Sequence, residues 1–290
     1  MRSLQAIILA AGEGTRMKSA LPKILHPICG RPMIAYALNL AASAGAKQPI
    51  VVLGHGMESV KPHLPKEAKA VVQTRQRGTG DAVIAAKRAL GSASSHILIL
   101  YADTPLLRRT TVQKLIESHF KTGATCSLLT AHLADPSGYG RVTRNERGQI
   151  DGIVEEVEAG AAQRAIREIN VGPLICQGSA LVEALASLKP SKRKQEHYLT
   201  DIVAHVARQE DTKLHSTRVE EIAEAFGVNS RADLARAIRV TRQRIIEMHL
   251  HNGVTIEDPH STFIDHGVHI GSDTVVHPYT VIETGVSIGK

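Results

Sequence analysis

Over the first half of the chain, apolar residues come in short unbroken runs rather than in alternation. Ala6-Ile7-Ile8-Leu9-Ala10, Ile50-Val51-Val52-Leu53, Ala70-Val71-Val72-Gln73 and His96-Ile97-Leu98-Ile99-Leu100-Tyr101 are such runs. Their length and content of branched aliphatics predict strands buried on both faces. Between them lie segments of helical spacing, Pro32 to Ala44, closed by Gly45 as a C-cap, and Ala82 to Leu90. Strands alternating with helices predict an α/β fold with a mostly parallel sheet and ligands at the C-terminal ends of its strands.

From Asp135 the pattern changes. Asp135-Pro136-Ser137-Gly138-Tyr139-Gly140-Arg141-Val142 is a Gly/Pro-rich turn, and Ile153-Val154-Glu155-Glu156 and Glu168-Ile169-Asn170-Val171-Gly172 follow it as short segments. They predict antiparallel strands forming a lid over one side of the sheet. Ser230 and Asp233 then have capping-box spacing. Leu234, Ile238, Thr241, Ile245 and Met248 follow at steps of four and three, which puts one apolar-leaning face along a helix of about five turns. From Val254 branched aliphatics recur roughly every six residues, at Val268-His269-Ile270-Gly271, Val275-Val276, Val281-Ile282-Glu283 and Val286-Ser287-Ile288-Gly289. This is the hexapeptide pattern of a left-handed parallel β-helix, with two to three coils before Lys290. The expected organisation is a large α/β domain over 1–229, a linker helix over 230–250 and the start of a β-helix over 251–290.

Composition narrows the function classes. Hydrophobic residues make up 43% of the chain but aromatics only 3%, so the core is aliphatic. A net charge of +7 suits phosphate-rich substrates or nucleic acid. The densest basic runs, Lys189 to Lys194 and Arg236 to Arg244, lack interleaved aromatics and read as a solvated loop and a helix face, so nucleic acid is not expected. Cys29, Cys126 and Cys176 are odd in number and far apart, which predicts a reduced, cytoplasmic protein rather than a disulfide scaffold. Arg2 ahead of the apolar Leu4 to Ala11 imitates a short leader, yet the run passes directly into a glycine loop. No apolar stretch reaches membrane-spanning length, so no membrane partner is expected.

The candidate chemistry begins where the first strand ends. Gly12, Gly14 and Thr15 turn the chain tightly, and successive backbone N–H groups in such a turn make an anion nest. Arg16 and Lys23 follow, one a planar fork for phosphate oxygens and the other a compact point charge. Met17 stands where a dinucleotide loop needs its third glycine, and no Gly-Lys-Ser/Thr ends the loop as a Walker motif requires. Two cations this close to the loop favour a triphosphate. Asp103 falls just past the His96–Tyr101 run, as a Mg²⁺ ligand beside substrate phosphates or as a helix N-cap before Thr104-Pro105. Gln73, Gly78 and Thr79 sit at another strand end, as a site or as a helix start with Thr79 for its N-cap. His249, His251, His260, His266, His269 and His277 crowd the tail, but no pair has convincing ligand spacing, and exposed coil positions are their expected home.

Leu9-Ala10-Ala11-Gly12-Glu13-Gly14-Thr15-Arg16-Met17-Lys18-Ser19 and Leu21-Pro22-Lys23-Ile24-Leu25-His26 closely resemble the N-terminal signature of sugar-1-phosphate nucleotidyltransferases, and the second segment resembles the bifunctional GlmU family in particular. The resemblance implies a Rossmann-like nucleotidyltransferase domain, the linker helix and the β-helix. It implies a uridylyltransferase, a UDP-N-acetylglucosamine diphosphorylase serving cell-envelope precursor synthesis, with UTP and N-acetylglucosamine 1-phosphate as substrates and Mg²⁺ as cofactor. Arg16 and Lys23 are then catalytic. Leu9, Ala10, Ala11, Gly12, Gly14, Lys23, Gln73, Gly78, Thr79, Tyr101, Ala102 and Asp103 bind nucleotide, while Gly140, Glu155 and Asn170 surround the sugar. Asp103 and Asn229, the latter in Gly227-Val228-Asn229, are the implied metal ligands.

The chain also departs from that family. Ala102 replaces a glycine, which places a methyl group close to the expected nucleotide. Val157 stands where a lysine is usual, and Gln195-Glu196-His197 replaces Gly-Glu-Tyr, both on the sugar side. These changes leave another sugar 1-phosphate as an alternative, and a non-catalytic sugar-nucleotide-binding module as a second. The family's acetyl-transfer residues lie in coils beyond Lys290, so acetyl transfer is not expected of this chain, and so short a β-helix predicts weak, concentration-dependent self-association.

Overall fold

A computed structural model describes residues 3–54, 56–91, 96–191, 193 and 195–289. Lys192 and Lys194 of the basic run, and Lys290, lie outside the described residues. Strands β1 (Leu4–Ala10), β2 (Ile50–Leu53), β3 (Lys69–Val72), β4 (His96–Tyr101), β5 (Cys126–His132), β6 (Arg141–Arg144), β7 (Ile150–Val154), β8 (Glu168–Gln177) and β9 (Leu214–Arg218) form one nine-stranded sheet. Its order is β9-β5-β8-β4-β1-β2-β3, with β6 joined to β8 and β7 to β6. β1 lies between β2 and β4 and is parallel to both, as its apolar run predicts. β8 is antiparallel to β4 and β5 on either side of it.

The period of two along β1 divides the core. Ala6, Ile8 and Ala10 face one layer with Ile34, Ala37 and Ala41 of α1 (Met33–Ser43). Ile7 and Leu9 face the other, with Ala82, Val83 and Ala86 of α2 (Thr79–Ala86). Between α2 and the later helices comes α3 (Arg109–Thr122), whose Val112 and Leu115 join the first layer. α4 (Gly178–Ser187) and α5 (Asp201–Ala207) complete the second. α2 starts three residues earlier than the spacing predicts and passes into a short 3₁₀ turn at Lys87–Ala89. Thr79 is therefore a helical residue, and Gly78, at φ +98°, occupies the N-cap.

The lid has the predicted form. β6 and β7 pair as an antiparallel hairpin with Val142 opposite Ile153, and Ile169 of β8 pairs with Arg141. The register of β8 against β5 shifts between Asn170 and Leu174, so β8 serves the lid with its first residues and the central sheet with its last. Such an irregularity bends the strand and re-aims nearby side chains.

α6 (Arg231–His251) begins with the predicted capping box of Ser230 and Asp233. Its first half packs Leu234 and Ala237 with Met17, Ile28, Met33, Leu106 and Val228. Its second half packs Ile245 and Ile246 with Val254, Ile256, Ile264, Ile270, Val276 and Ile282 of the tail. Changing partners along the helix rotates the buried stripe. Met248, expected on the apolar face, is 47% exposed, while His249 is 2% exposed. The tail coils as predicted, with Ile256 paired to Val276, Ile264 to Ile282 and Ile270 to Ile288 in parallel. Two stacked layers are present among the described residues, the lower bound of the two to three expected. His251, His260, His269 and His277 are exposed there, but His249 is buried and His266 half-buried, so those two leave the expected pattern. A tight hairpin, Pro27–Ile28 with Arg31–Pro32, reaches back from the glycine loop, and its Cys29 carbonyl accepts the His266 amide at 2.9 Å.

Candidate active site

The cleft opens at the C-terminal ends of β1, β3 and β4, where parallel strands deliver their following loops. It has two lobes. One is lined by Leu9, Ala11, Gly12, Gln73, Gln76 and Ala82, the other by Arg16, Gly140, Glu155, Asn170, Asn229 and Asp233, among others. Gly78, Thr79, Tyr101, Asp103 and Glu196 border both.

Three residues meet where the lobes join. Lys23 Nζ donates to Asp103 Oδ2 at 2.6 Å and to Asn229 Oδ1 at 3.2 Å. Lys23 is 8% exposed, so its ammonium is held in this pair and not displayed from the loop. Gly14 makes that placement feasible. At φ +65° it takes the left-handed conformation, and a Cβ there would lie 2.6 Å from Lys23 Cβ. Asp103 follows β4 in a turn, and the next helix starts only at Arg109, so Asp103 caps nothing. Its carbonyl accepts the Val228 amide at 2.8 Å, which fixes the spacing between Asp103 and Asn229 along the backbone. A carboxylate and an amide oxygen converging on one positive centre suit a hard cation, which takes one or two carboxylates and completes its shell from phosphates and water. No group of three or more His, Cys, Asp or Glu among the described residues could hold a metal on its own.

Asn229 is fixed from the other side by Asp233. Asp233 Oδ2 accepts from the Asn229 amide at 3.1 Å, the Ser230 amide at 2.8 Å and the Ser230 hydroxyl at 2.8 Å. Burial pushes the Asp233 carboxyl up, but these donors and the charge of Arg16 outweigh it and hold the group below its ordinary value. Arg16, exposed on a 3₁₀ turn, lines the same lobe. Arg231 ties this helix start back to the loop, its Nε donating to the Met17 carbonyl at 3.1 Å.

At the other end of the cleft, Gln73 follows β3, buried at 6% exposure. Its Nε2 donates to the Gly78 carbonyl at 3.0 Å and to Asp81 Oδ2 at 3.2 Å, so it shapes the 73–78 loop. Thr79 Oγ1 accepts the Leu199 amide at 3.0 Å. Burial, then the charges of Glu155 and Asp103, push the Tyr101 phenol well up, so it stays protonated. Gly78 has no room for a side chain, because a Cβ would lie 2.5 Å from the His197 carbonyl.

The lid residues gather on the second lobe. Glu155 Oε1 accepts from the Thr200 hydroxyl at 2.7 Å, and the Asn170 amide donates to the Gly140 carbonyl at 2.8 Å. Arg141, 1% exposed, pairs with Glu156 at 2.7 Å and fastens the Gly138–Arg141 turn to the 155–158 turn.

One sequence expectation changes here, the placement of the Ala102 methyl group. The side chains of Ala10 and Ala102 both lie in the layer opposite the cleft and line neither lobe. The methyl group of Ala102 therefore points away from the expected nucleotide, because strand alternation sends its neighbour Tyr101 to the cleft instead. The remaining candidates cluster at the cleft, with Gly14 acting through Lys23. Gln76, Tyr139, Glu196, Tyr198, Thr200 and Asp233 also line it, though the sequence names none of them as a binding residue. Gln76 carries the clearest role, its Nε2 donating to the Ala11 carbonyl of the glycine loop at 2.9 Å.

Comparison with known proteins agrees with this architecture. Residues 6–209 match the MobA-like NTP transferase domain family. The chain is 43% identical over 277 residues to the bifunctional protein GlmU of Pelotomaculum thermopropionicum, covering 96% of this chain and 60% of that protein. It is 39% identical over 290 residues to bifunctional protein GlmU of Enterococcus faecalis, covering 100% of this chain and 63% of the relative. The chain thus spans about three-fifths of the length of the curated relatives it matches. A crystal structure of UDP-glucose pyrophosphorylase complexed with UDP-glucose superposes with a TM-score of 0.68 at 19% identity, over 84% of this chain and 100% of that one, and shares the fold. The cleft described above is therefore that of a nucleotidyltransferase fold, and the chain belongs to the MobA-like NTP transferase domain family, with homology to the GlmU proteins along its length.

Proposed function

We propose that the chain is a uridylyltransferase that joins UTP and N-acetylglucosamine 1-phosphate to give UDP-N-acetylglucosamine and pyrophosphate. The observation that carries this reading is the convergence of Lys23, Asp103 and Asn229 at the junction of two lobes. In this reading the lobe of Gln73, Gln76 and Thr79 takes the nucleoside, and the lobe of Gly140, Glu155 and Asn170 takes the sugar. The triphosphate lies across the glycine loop between them. An oxygen of the sugar phosphate attacks the α-phosphorus in line, and the bond to pyrophosphate breaks as the new one forms. No protein base is required, because the nucleophile is already an anion.

Catalysis then rests on positioning and charge neutralisation. Arg16 and Lys23 offset charge on the departing pyrophosphate. Asp103 and Asn229 would hold Mg²⁺, which supplies Lewis-acid neutralisation of phosphate oxygens when bound. A triphosphate arriving with its cation offers new partners to both sides of the Lys23 cluster, an anion for the ammonium and a cation for the two oxygens.

The sugar lobe supports a second reading of the same chemistry. Its wall includes Glu155, Glu196 and Tyr198, and near these in sequence stand Val157 and His197, where the family resemblance implies lysine and tyrosine. Another sugar 1-phosphate is therefore a specific rival. Following the products by ³¹P nuclear magnetic resonance, with UTP and a panel of sugar 1-phosphates, separates the two. UDP-N-acetylglucosamine as the fastest-formed product supports the proposal, and faster conversion of another sugar phosphate replaces it with the rival.

A further inference from the structure

Asp233 uses its carboxylate unevenly. Oδ2 takes three donors, the amides of Asn229 and Ser230 and the Ser230 hydroxyl, at 2.8 to 3.1 Å. Oδ1 takes none among the described residues. An N3 carboxylate of a capping box needs only the bond to the N-cap amide. The bond to Asn229, one residue before the N-cap, goes beyond capping and bears directly on the residue whose side chain meets Lys23 at 3.2 Å. Asp233 also lines the lobe that contains Arg16, and Arg16 sits exposed on a 3₁₀ turn. An exposed arginine carries several rotatable bonds, so a fixed anion is needed to hold its fork in one direction.

We infer that Asp233 is a positioning residue, holding Asn229 through Oδ2 and orienting the Arg16 guanidinium through Oδ1, so that both flanks of the triphosphate are set by one carboxylate at the start of α6. The inference rests on the uridylyltransferase reading. It explains why α6 begins at the cleft, and it couples two groups that lie far apart in sequence.

Helix capping and positioning are separable. Asp233→Asn keeps an oxygen for the Asn229 and Ser230 amides but removes the anion that would orient Arg16. Ser230→Ala removes the capping hydroxyl and leaves the carboxylate. The experiment measures kcat, KM for UTP and melting temperature for wild type, Asp233→Asn, Arg16→Ala, the double variant and Ser230→Ala. The expected result is a fall in kcat of about tenfold or more for Asp233→Asn, with KM within about threefold. The same substitution should have no further effect in the Arg16→Ala background, since groups that act as a unit are not additive. Ser230→Ala should lower the melting temperature with kcat within about twofold. Full additivity of Asp233→Asn with Arg16→Ala overturns the inference, as does a kcat for Asp233→Asn no lower than that of Ser230→Ala. Failure of wild type to turn over any sugar 1-phosphate would instead remove the underlying reading.

Discussion

Lys23 and Asp103 form a 2.6 Å ion pair across 80 residues of sequence, and the same ammonium reaches Asn229 at 3.2 Å. With side-chain exposures of 9% and 29%, the Lys23–Asp103 pair is partly desolvated and more tightly held than a surface bridge. The lysine occupies the place between two oxygen donors that a hard cation would take. In the proposed reading this junction keeps its charges paired until a ligand brings both a cation and an anion.

Under the proposed cation site, Lys23 should compete with divalent metal in the absence of nucleotide. Lys23→Ala should bind Mn²⁺ more tightly than wild type, by about tenfold or more, when titrated by electron paramagnetic resonance without substrate. Removing the ammonium frees the Asp103 carboxylate, and opposite unit charges about 4 Å apart attract by about 4 kcal/mol near a protein surface. Equal or weaker Mn²⁺ affinity in the variant would show that the two oxygens do not form a cation site.

Gly14 should tolerate no side chain. Gly14→Ala requires φ near +65° and drives a Cβ to 2.6 Å from Lys23 Cβ. The left-handed conformation alone costs an L-residue about 1–2 kcal/mol. Turnover should fall well beyond the loss of stability, because Lys23 must move. A variant that loses stability by chemical denaturation yet keeps full kcat/KM would separate the loop from the chemistry.

A pH effect on stability should come from the interior, away from the cleft. His119 is fully buried, with Nε2 at 2.9 Å from His96 Nδ1 and Nδ1 at 2.9 Å from Ser127 Oγ. Burial, and then the neighbouring His96 and His215, lower its pKa from 6.5 to about 4. Between those values the unfolded chain binds the proton that the folded chain refuses. Stability is therefore fully present above about pH 6.5 and falls toward pH 4, by at most about 1.4 kcal/mol per pH unit for one group. Urea titrations at pH 7 and pH 5 should show the loss, and His119→Gln should flatten part of it. His26, His215, His249 and His266, whose pKa values burial also lowers, add to the loss in the same direction. An unchanged slope in His119→Gln would contradict the assignment.

Local features of this fold were legible in the sequence, and features made by distant contacts were not. The apolar runs at Ile50–Leu53 and His96–Tyr101, the glycine turn and the Ser230–Asp233 box depend on neighbours within a few residues, and the structure has them in place. The Lys23–Asn229 bond joins residues 206 apart, which no spacing rule reaches. The Ala102 methyl group lies away from its expected place for a different reason. Alternation along β4 already implied that it faces away from Tyr101, and this signal lost out to its adjacency to Asp103. Met248 and His249 exchanged places because α6 packs on two surfaces in turn, so one helical stripe could not describe it. Gln76, Glu196 and Tyr198 lie on irregular loops, where no period marks which side chains face inward.

The central claim is that uridylyl transfer takes place at the Lys23, Asp103 and Asn229 junction. Its most direct test is pyrophosphate release from UTP and N-acetylglucosamine 1-phosphate in Mg²⁺, with wild type and Asp103→Asn measured side by side. Replacing an anionic ligand by a neutral one of the same shape should keep the fold, lower the melting temperature through loss of the Lys23 ion pair, and lower kcat/KM by a hundredfold or more, as for loss of a preorganised electrostatic contact worth about 3–4 kcal/mol. Asn229→Ala should fall less, since water replaces a neutral ligand more readily. Robust turnover in wild type with a collapse in Asp103→Asn is the predicted result; near-normal turnover in Asp103→Asn at the same Mg²⁺ concentration would contradict it.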